Sequence, residues 1–474
     1  MKHRAHKPHN SAQRVRMMRR GDVRRPSQRL RAVAKKSRKT SRKMKKTPRQ
    51  PSGRISLRRM SRLFVRISTG LMLLILLWSC GTVPGLHEED VSGFIRIPFV
   101  RVLLEQTTRD VVLSSDASFA IECLSEGQQE VYYSGQPVTV RNEGLLTVYN
   151  HQGYPIAERL DEVNILPRGG GNRTQLGGKR YRGILRVLPR GEAVRVINVV
   201  YMEDYLRGVV PPELGKRERS EIEAVKAQAV AARTYAMAHL QQYGAEPYDI
   251  RSSIMDQLYG GYDVENKLVN EAINETTGRV VTHNDDLINA YYHSTSGGWT
   301  DNIEDVWERK EVPYLKAVND GDASSWSKYF TWQEVFTEQQ LRGRLEQYLT
   351  SDRGRDFRIG RITDIQAQER TAGGRVKKLI VMTDTDVYRF YKDRIRWVVG
   401  RTSNPDLILP SSNFNVTLKR DSQGNITQIV FSGRGYGHGV GMCQCGAIGH
   451  AREGWTFDQI LTHYYTGVEL KKLY

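Results

Sequence analysis

Four segments of the 474-residue chain concentrate side chains that could do chemistry. The first is VVYMEDYLRGVVPPELGKRERSEIEAVKAQAVAARTYA, from Val199 to Ala236. Read locally, a strand-like segment ends at Pro211-Pro212, and Glu213 follows directly, ahead of a long helix. Two prolines fix the backbone and remove two N–H donors, so Glu213 stands on a stiff approach. A carboxyl held there among Val209, Val210 and Leu214 is a candidate for a raised pKa, the property of a general acid. An ordinary acid at a helix N-terminus is the plainer reading of the same residue.

The second segment, SSIMDQLYGGY (252–262), gathers an acid, an amide and tyrosines around a Gly turn, groups that suit sugar hydroxyls and sugar faces but also furnish ordinary loops. The third, AYYHSTSGGWTDNIEDVWERKEVPY (290–314), sets His293, Ser294, Thr295 and Ser296 before a Gly-Gly turn. A Ser-His nucleophile pair is conceivable there, although no G-x-S-x-G elbow accompanies it. The fourth, GRGYGHGVGMCQCG (433–446), alternates glycine with Arg434, Tyr436, His438, Val440 and Met442. If extended, it has one bare face open to close backbone approach and one face presenting Arg, Tyr and His. Its spacing is not that of a phosphate-cradling dinucleotide loop. His438, Cys443 and Cys445 could supply three zinc ligands, but C-x-C is not the usual zinc spacing, and no cofactor is the preferred reading.

These segments need elements to position them. Ile222, Val225, Ala229, Ala232 and Ala236 recur at helical spacing and predict a buried helix over about 221–241, with Ser220 and Glu223 at capping-box spacing. From 94 to 200, short alternating runs such as Val138-Thr139-Val140 and Val194-Arg195-Val196-Ile197, broken by Gly and Asn, read as mostly β. A helix is expected near 337–349, a strand at 378–382 and a terminal helix from Thr456 to Tyr465. The fold class is therefore α+β: a β-rich mixed body with one long buried helix and a few shorter ones.

The formal charge of +20 is unevenly placed. Residues 1–59 hold 23 Lys/Arg against a single acid, Asp22, while the rest carries 49 basic and 51 acidic residues. The folded part is nearly neutral and gives no reason to expect a nucleic-acid surface. The tail lacks aromatic residues and reads as a disordered basic segment suited to anionic lipid or non-specific nucleic acid, or as a misassigned start ahead of Met60. Residues 60–80, MSRLFVRISTGLMLLILLWSC, combine a short basic stretch, an apolar run (69–79) and Cys80. The run is short for a bilayer of about 30 Å, so a secretory signal is the better reading. Leu77-Trp78-Ser79-Cys80 is similar to a lipobox, with Cys80 the lipidation site, although Trp78 is atypical; an uncleaved membrane anchor is the alternative. Either reading places the remainder in the cell envelope, outside the inner membrane, after a linker at 82–93. Cys123, Cys443 and Cys445 then remain, an odd count that supplies no disulfide framework.

Taken together and in order, the segments resemble the SpoIID/LytB family, that is, stage II sporulation protein D and the amidase enhancers. The matching motifs are EDYLRGVVPPE with EAVKAQAVAARTYA, DQLYGG, HSTSGGWTDN…DVW…PYL, and GRGYGHGVGMCQCGA with ILTHYYTGVEL. The resemblance covers about residues 94–470, and under it 201–470 is the catalytic core. It implies a peptidoglycan lytic transglycosylase acting on glycan stripped of stem peptides by an amidase, with the family's catalytic glutamate at Glu213. One carboxyl suffices for that reaction, because the sugar's own 6-hydroxyl is the nucleophile. Tyr259, His293, Thr295 and His438 are the candidates for holding the glycan. The main rival is a glycan-binding enhancer of a cell-wall amidase without activity of its own; a protein organised around the basic tail is a third reading.

Overall fold

The computed structural model describes residues 97–474 apart from Ile254 and Pro405. The tail 1–59, the segment 60–80 with Cys80, and the linker 82–93 lie outside the described residues. Among the described residues no helix is long and apolar enough to cross a membrane.

Alternation builds the first part. In Phe119–Ser125 the side chains of Phe119, Ile121 and Cys123 turn inward, and in Val138–Asn142 those of Val138 and Val140 do the same. A seven-stranded sheet runs in the order Ile250–Arg251, Phe99–Thr107, Ala193–Tyr201, Ile184–Arg190, Glu162–Pro167, Phe119–Ser125, Gln128–Ser134. A six-stranded sheet runs Lys179–Tyr181, Thr174–Leu176, Val111–Ser115, Val138–Asn142, Leu146–Tyr149, Pro155–Leu160. Leu113, Val140 and Val148 of the second meet Ile121, Ile165 and Val187 of the first in one core, the arrangement of a sandwich.

Strand Ala193–Tyr201 leads from this core into the next. Val194 and Val196 belong to the sandwich, whereas Val200 packs with the helices that follow. At the centre of that second core is the alanine-rich helix Ile222–Ala238. Ala224, Ala227, Ala229, Ala231, Ala232 and Ala236 have no exposed surface, and their small side chains let helices Met202–Leu214, Lys267–Glu275, Gln444–Arg452 and Phe457–Tyr464 close around it. The helix is shorter than the expected 221–241. It follows a 3-10 turn, Arg219–Glu221, and stops at Ala238, where the His239 ring stacks on Tyr235. Its start also differs from the expected Ser220 and Glu223 pair: Glu218 and Glu221 form the capping box of the 3-10 turn, and the helix itself begins after Glu221 with no side-chain cap. Glu223 is drawn elsewhere, accepting the N–H of Phe457 at 2.9 Å and pairing with Lys226 at 2.7 Å. Arg233, fully buried in the same helix, makes a two-pronged pair with Glu203 at 2.9 and 2.6 Å.

A third apolar core lies within residues 331–431. Helix Glu338–Arg353, with Thr337 and Gln340 as a reciprocal cap, packs with two three-stranded sheets through Phe336, Leu345, Val381, Phe390 and Phe431. The terminal helix Phe457–Tyr464 lies where its capping residues Thr456 and Gln459 predict it. The α+β class read from the sequence is the observed one.

Candidate active site

Glu213 is on a helix, not after a strand. The strand ends at Tyr201, and helix Met202–Leu214 contains both prolines in its last turn. Proline at a helical position leaves the carbonyl four residues earlier without its intrahelical donor. For Pro212 that carbonyl is Gly208, and it accepts instead from the N–H of Gly260 at 2.9 Å. The DQLYGG loop is thereby stitched to the helix. Two residues away a second stitch reaches the acid itself: the N–H of Leu258 donates to Glu213 Oε1 at 2.9 Å.

Reading the segment as a helix also brings out a face that the strand reading hid. Tyr205, Val209 and Glu213 recur every four residues, and Tyr205 and Val209 are fully buried. Around Glu213 stands a chain of polar groups: Tyr205 donates to Gln257 Oε1 at 3.0 Å, and Gln257 Nε2 donates to the Tyr292 hydroxyl at 3.0 Å. Gln444, the first residue of helix Gln444–Arg452, bonds Gln228 at 3.4 Å and borders the carboxyl. Burial raises the Glu213 pKa, and the Leu258 N–H and the Gln444 amide draw it part of the way back. Among the described residues no charged side chain, acidic or basic, contributes to that shift. Burial chiefly, and after it other buried groups including Glu213, push the Tyr205 and Tyr292 hydroxyls well above their usual range, so both stay protonated donors. Sequence reasoning passed over Gln228, Tyr205, Tyr292 and Gln444; the four-residue spacing of Tyr205 and Glu213 was the available signal.

The HSTSGG and GRGYGHGVG segments meet each other. Strand Ile426–Arg434 takes in Gly433 and Arg434, which are extended as expected, but Gly435, Gly437, Gly439 and Gly441 all have φ between 69° and 110°, so the rest of the run is a folded loop and not a ribbon. Thr295 and Tyr436 exchange backbone hydrogen bonds at 2.9 and 2.8 Å, and Tyr292–His293 pairs in parallel with Met442–Cys443. At Gly441 a Cβ would stand 2.1 Å from the carbonyl oxygen of Tyr291, so only glycine allows this approach. The bare positions thus serve the chain's own backbone.

The expected glycan-holding residues have distinct surroundings. Tyr259 spends its hydroxyl on Asn198 Oδ1 at 2.7 Å, and its ring lies against Gly208 and Tyr205. Thr295 has no exposed surface and shares its hydroxyl with Ser327 at 2.9 Å. Both are wall residues by their contacts. His293 is buried, with Nδ1 3.3 Å from the Val440 carbonyl and Nε2 without a partner. His438 keeps some exposed surface beside Trp307, at 4.9 Å between ring centroids, and accepts the Val440 N–H at Nδ1. Burial pushes the His438 pKa down to about 4, so it is neutral at pH 7.

The structure does not gather His438, Cys443 and Cys445 into a metal-ligand trio. Cys443 Sγ instead accepts the N–H groups of Ser296 and Gly446, each at 3.1 Å, and so caps helix Gln444–Arg452; burial pushes this thiol well above its usual range. Behind the loops, Arg375 of the third core reaches in to pair with Asp301 at 2.5 Å, and its guanidinium also donates to the Ser296 and Trp299 carbonyls.

Comparison with known proteins fits this geometry. A family model described as stage II sporulation protein matches residues 190–283, which hold the Glu213 helix, the alanine-rich helix and the DQLYGG loop. An uncharacterized protein of Brachyspira hyodysenteriae is 31% identical over 334 residues, spanning 69% of this chain and 82% of that protein. Stage II sporulation protein D of Bacillus subtilis is 29% identical over 289 residues, 57% of this chain and 74% of that protein. The chain belongs to the stage II sporulation protein D family. Another relative of the family, the amidase enhancer of Bacillus subtilis, is 30% identical over 363 residues; the match spans 69% of this chain and about half (49%) of that protein. Family membership supports a cell-wall-related role. A second model, for a domain of unknown function, matches residues 322–441 and coincides with the third core.

Proposed function

We propose that this chain is an exported, envelope-attached lytic transglycosylase that cleaves the glycan strands of peptidoglycan, with Glu213 as its single acid/base. The observation that carries the reading is a desolvated carboxyl with no charged partner, held through one oxygen by Leu258 N–H and faced by tyrosine and amide groups. Burial favours its protonated form, the form a general acid requires. Glu213 gives that proton to the bridging oxygen as the glycosidic C1–O bond breaks. The resulting carboxylate takes the proton of the muramyl 6-hydroxyl as O6 bonds to C1, which closes a 1,6-anhydro ring and restores the acid. No water and no second carboxylate enter this step, whereas a hydrolase would use two carboxyls about 5–9.5 Å apart.

The amidase-enhancer relative favours a second reading, in which the same cleft binds glycan and assists an amidase. Mass spectrometry of products from amidase-treated peptidoglycan, with the full chain in mild detergent beside Glu213→Gln, separates the two. Anhydro-muramyl ends formed only by the unmodified protein support the transglycosylase. Equal glycan binding by both proteins with no such ends from either refutes it in favour of the enhancer.

A further inference from the structure

One cluster of metal-ligating side chains lies outside everything described above. Asp320, His450 and His463 bring one ligand atom each within 4.8 Å of one another. Asp320 and His450 are 2% and 7% exposed, and His463 is half-buried. Three imidazole nitrogens here, both of His450 and Nε2 of His463, are buried without a hydrogen-bond partner. A buried polar group without a partner is costly, so three at one point call for an occupant.

The surroundings have the order of a metal site. Both oxygens of Asp320 are already oriented, one by the Ser296 hydroxyl and one by the Tyr464 hydroxyl. His450 stacks on Trp455 at 4.2 Å, which fixes the ring plane. Its Nδ1 lies 3.5 Å from Glu453 Oε2 and its Nε2 lies 3.5 Å from Asp320 Oδ1. A carboxylate on the far nitrogen of a histidine, with the near nitrogen turned to a second ligand, is the usual second shell of a bound zinc. Adjacent ligand atoms on a tetrahedral zinc with bonds of about 2.0–2.1 Å stand about 3.3–3.4 Å apart, close to the His450–Asp320 separation. His463, the least enclosed of the three, keeps a ligand atom within 4.8 Å of the other two.

We propose that Asp320, His450 and His463 form a zinc-class divalent metal site that braces the helix bordering Glu213. The metal ties helix Phe457–Tyr464 and the Asp320 loop to helix Gln444–Arg452, whose first residue borders Glu213. The proposal does not depend on the reaction assigned above. The competing arrangement is a protonated His450 bridging Asp320 and Glu453.

The test is titration of the chelator-treated full chain, in mild detergent, with Co²⁺ followed by Zn²⁺. One equivalent of Co²⁺ should bind with tetrahedral visible absorption and no thiolate-to-cobalt band, and Zn²⁺ should displace it. His463→Ala should weaken binding about 100-fold or more, and Glu453→Gln, an exposed change that tolerates loss of the first variant, about 10–100-fold. Cys445→Ser should leave it unchanged. No binding at millimolar Co²⁺, with an imidazole NMR signal showing His450 charged at neutral pH, overturns the site in favour of the proton bridge. Binding that survives both variants, or that is lost with Cys445, overturns it as well.

Discussion

Gly208 lies in the interior of helix Met202–Leu214, where helix propensity alone says that alanine should stabilise by about 1 kcal/mol. The tertiary contacts say the opposite. A Cβ on residue 208 would stand 2.4 Å from Tyr259 Cε2, 2.9 Å from Cδ2 and 3.0 Å from the Gly261 carbonyl oxygen. The ring has little room to retreat, because its hydroxyl is tied to Asn198 and its faces meet Tyr205 and Tyr181. Overpacking of this kind costs about 1–3 kcal/mol and here also outweighs the propensity gain, so Gly208→Ala should be net destabilising by up to about 2 kcal/mol. Pushing Tyr259 outward also drags Leu258 and Gly260, the two residues that hold the loop to Glu213 and Gly208, so glycan cleavage should fall more than stability does. Urea unfolding of Gly208→Ala, Tyr259→Leu and the double variant gives the answer, with the double variant recovering part of the loss. A Gly208→Ala protein more stable than the parent would sink the idea that this loop is packed against the helix at the Tyr259 ring.

Glu213→Gln should be more stable than the parent at neutral and alkaline pH. The folded pKa is raised, so the carboxyl is least costly to the fold at acid pH and its penalty grows as pH rises through the folded pKa; the two melting curves should therefore converge on acidification. The activity limb set by the same acid should move to higher pH in Gln444→Leu, which removes a group that favours the carboxylate; an unmoved limb counts against that contact. Arg233→Ala strands the largely buried Glu203 carboxylate without its ionic partner and should cost about 3–5 kcal/mol in denaturant unfolding. Of the three described cysteines, a thiol reagent under native conditions should label Cys445 first, with Cys123 and Cys443 buried and their thiolates disfavoured; equal rates at the three would contradict the packing of the cap.

Much of the scaffold was legible because its signals are local. Val138 and Val140, or Phe119 and Ile121, announce inward faces within five to seven residues. The alanine run announces a helix that others approach closely, and Thr456 with Gln459 marks a helix start. The misreadings share one cause, a decision made by a residue far along the chain. Pro211 and Pro212 look like helix breakers until Gly260, almost fifty positions later, supplies the missing donor. Glu223 looks like a capping partner until the N-terminus of a helix more than two hundred residues away claims it. The glycine alternation looks like a ribbon until Tyr291 and Thr295 come within van der Waals range. Glu213 was reachable through its motif and Tyr205 through its four-residue spacing on the same helix, but Gln228, Gln257, Tyr292 and Gln444 were not, since they lie elsewhere in the chain.

The distances along the chain also set an order of assembly. One contact to the acid closes over a shorter loop: Leu258 lies 45 positions from Glu213, whereas Gln444, which also borders the carboxyl, lies 444 − 213 = 231 positions away. The HSTSGG and glycine loops are joined through contacts 74 to 149 positions apart: Arg375 with Asp301, Val440 with His293, and Cys443 with Ser294 and Ser296. Longer loops close more slowly and at greater entropic cost. A chain emerging from its N-terminal side therefore ties the carboxyl to Leu258 early and lacks Gln444 until late. The paired loops follow once the region around Arg375 has folded and the glycine loop has been delivered behind it, so the surroundings of the carboxyl are finished from the far end of the chain.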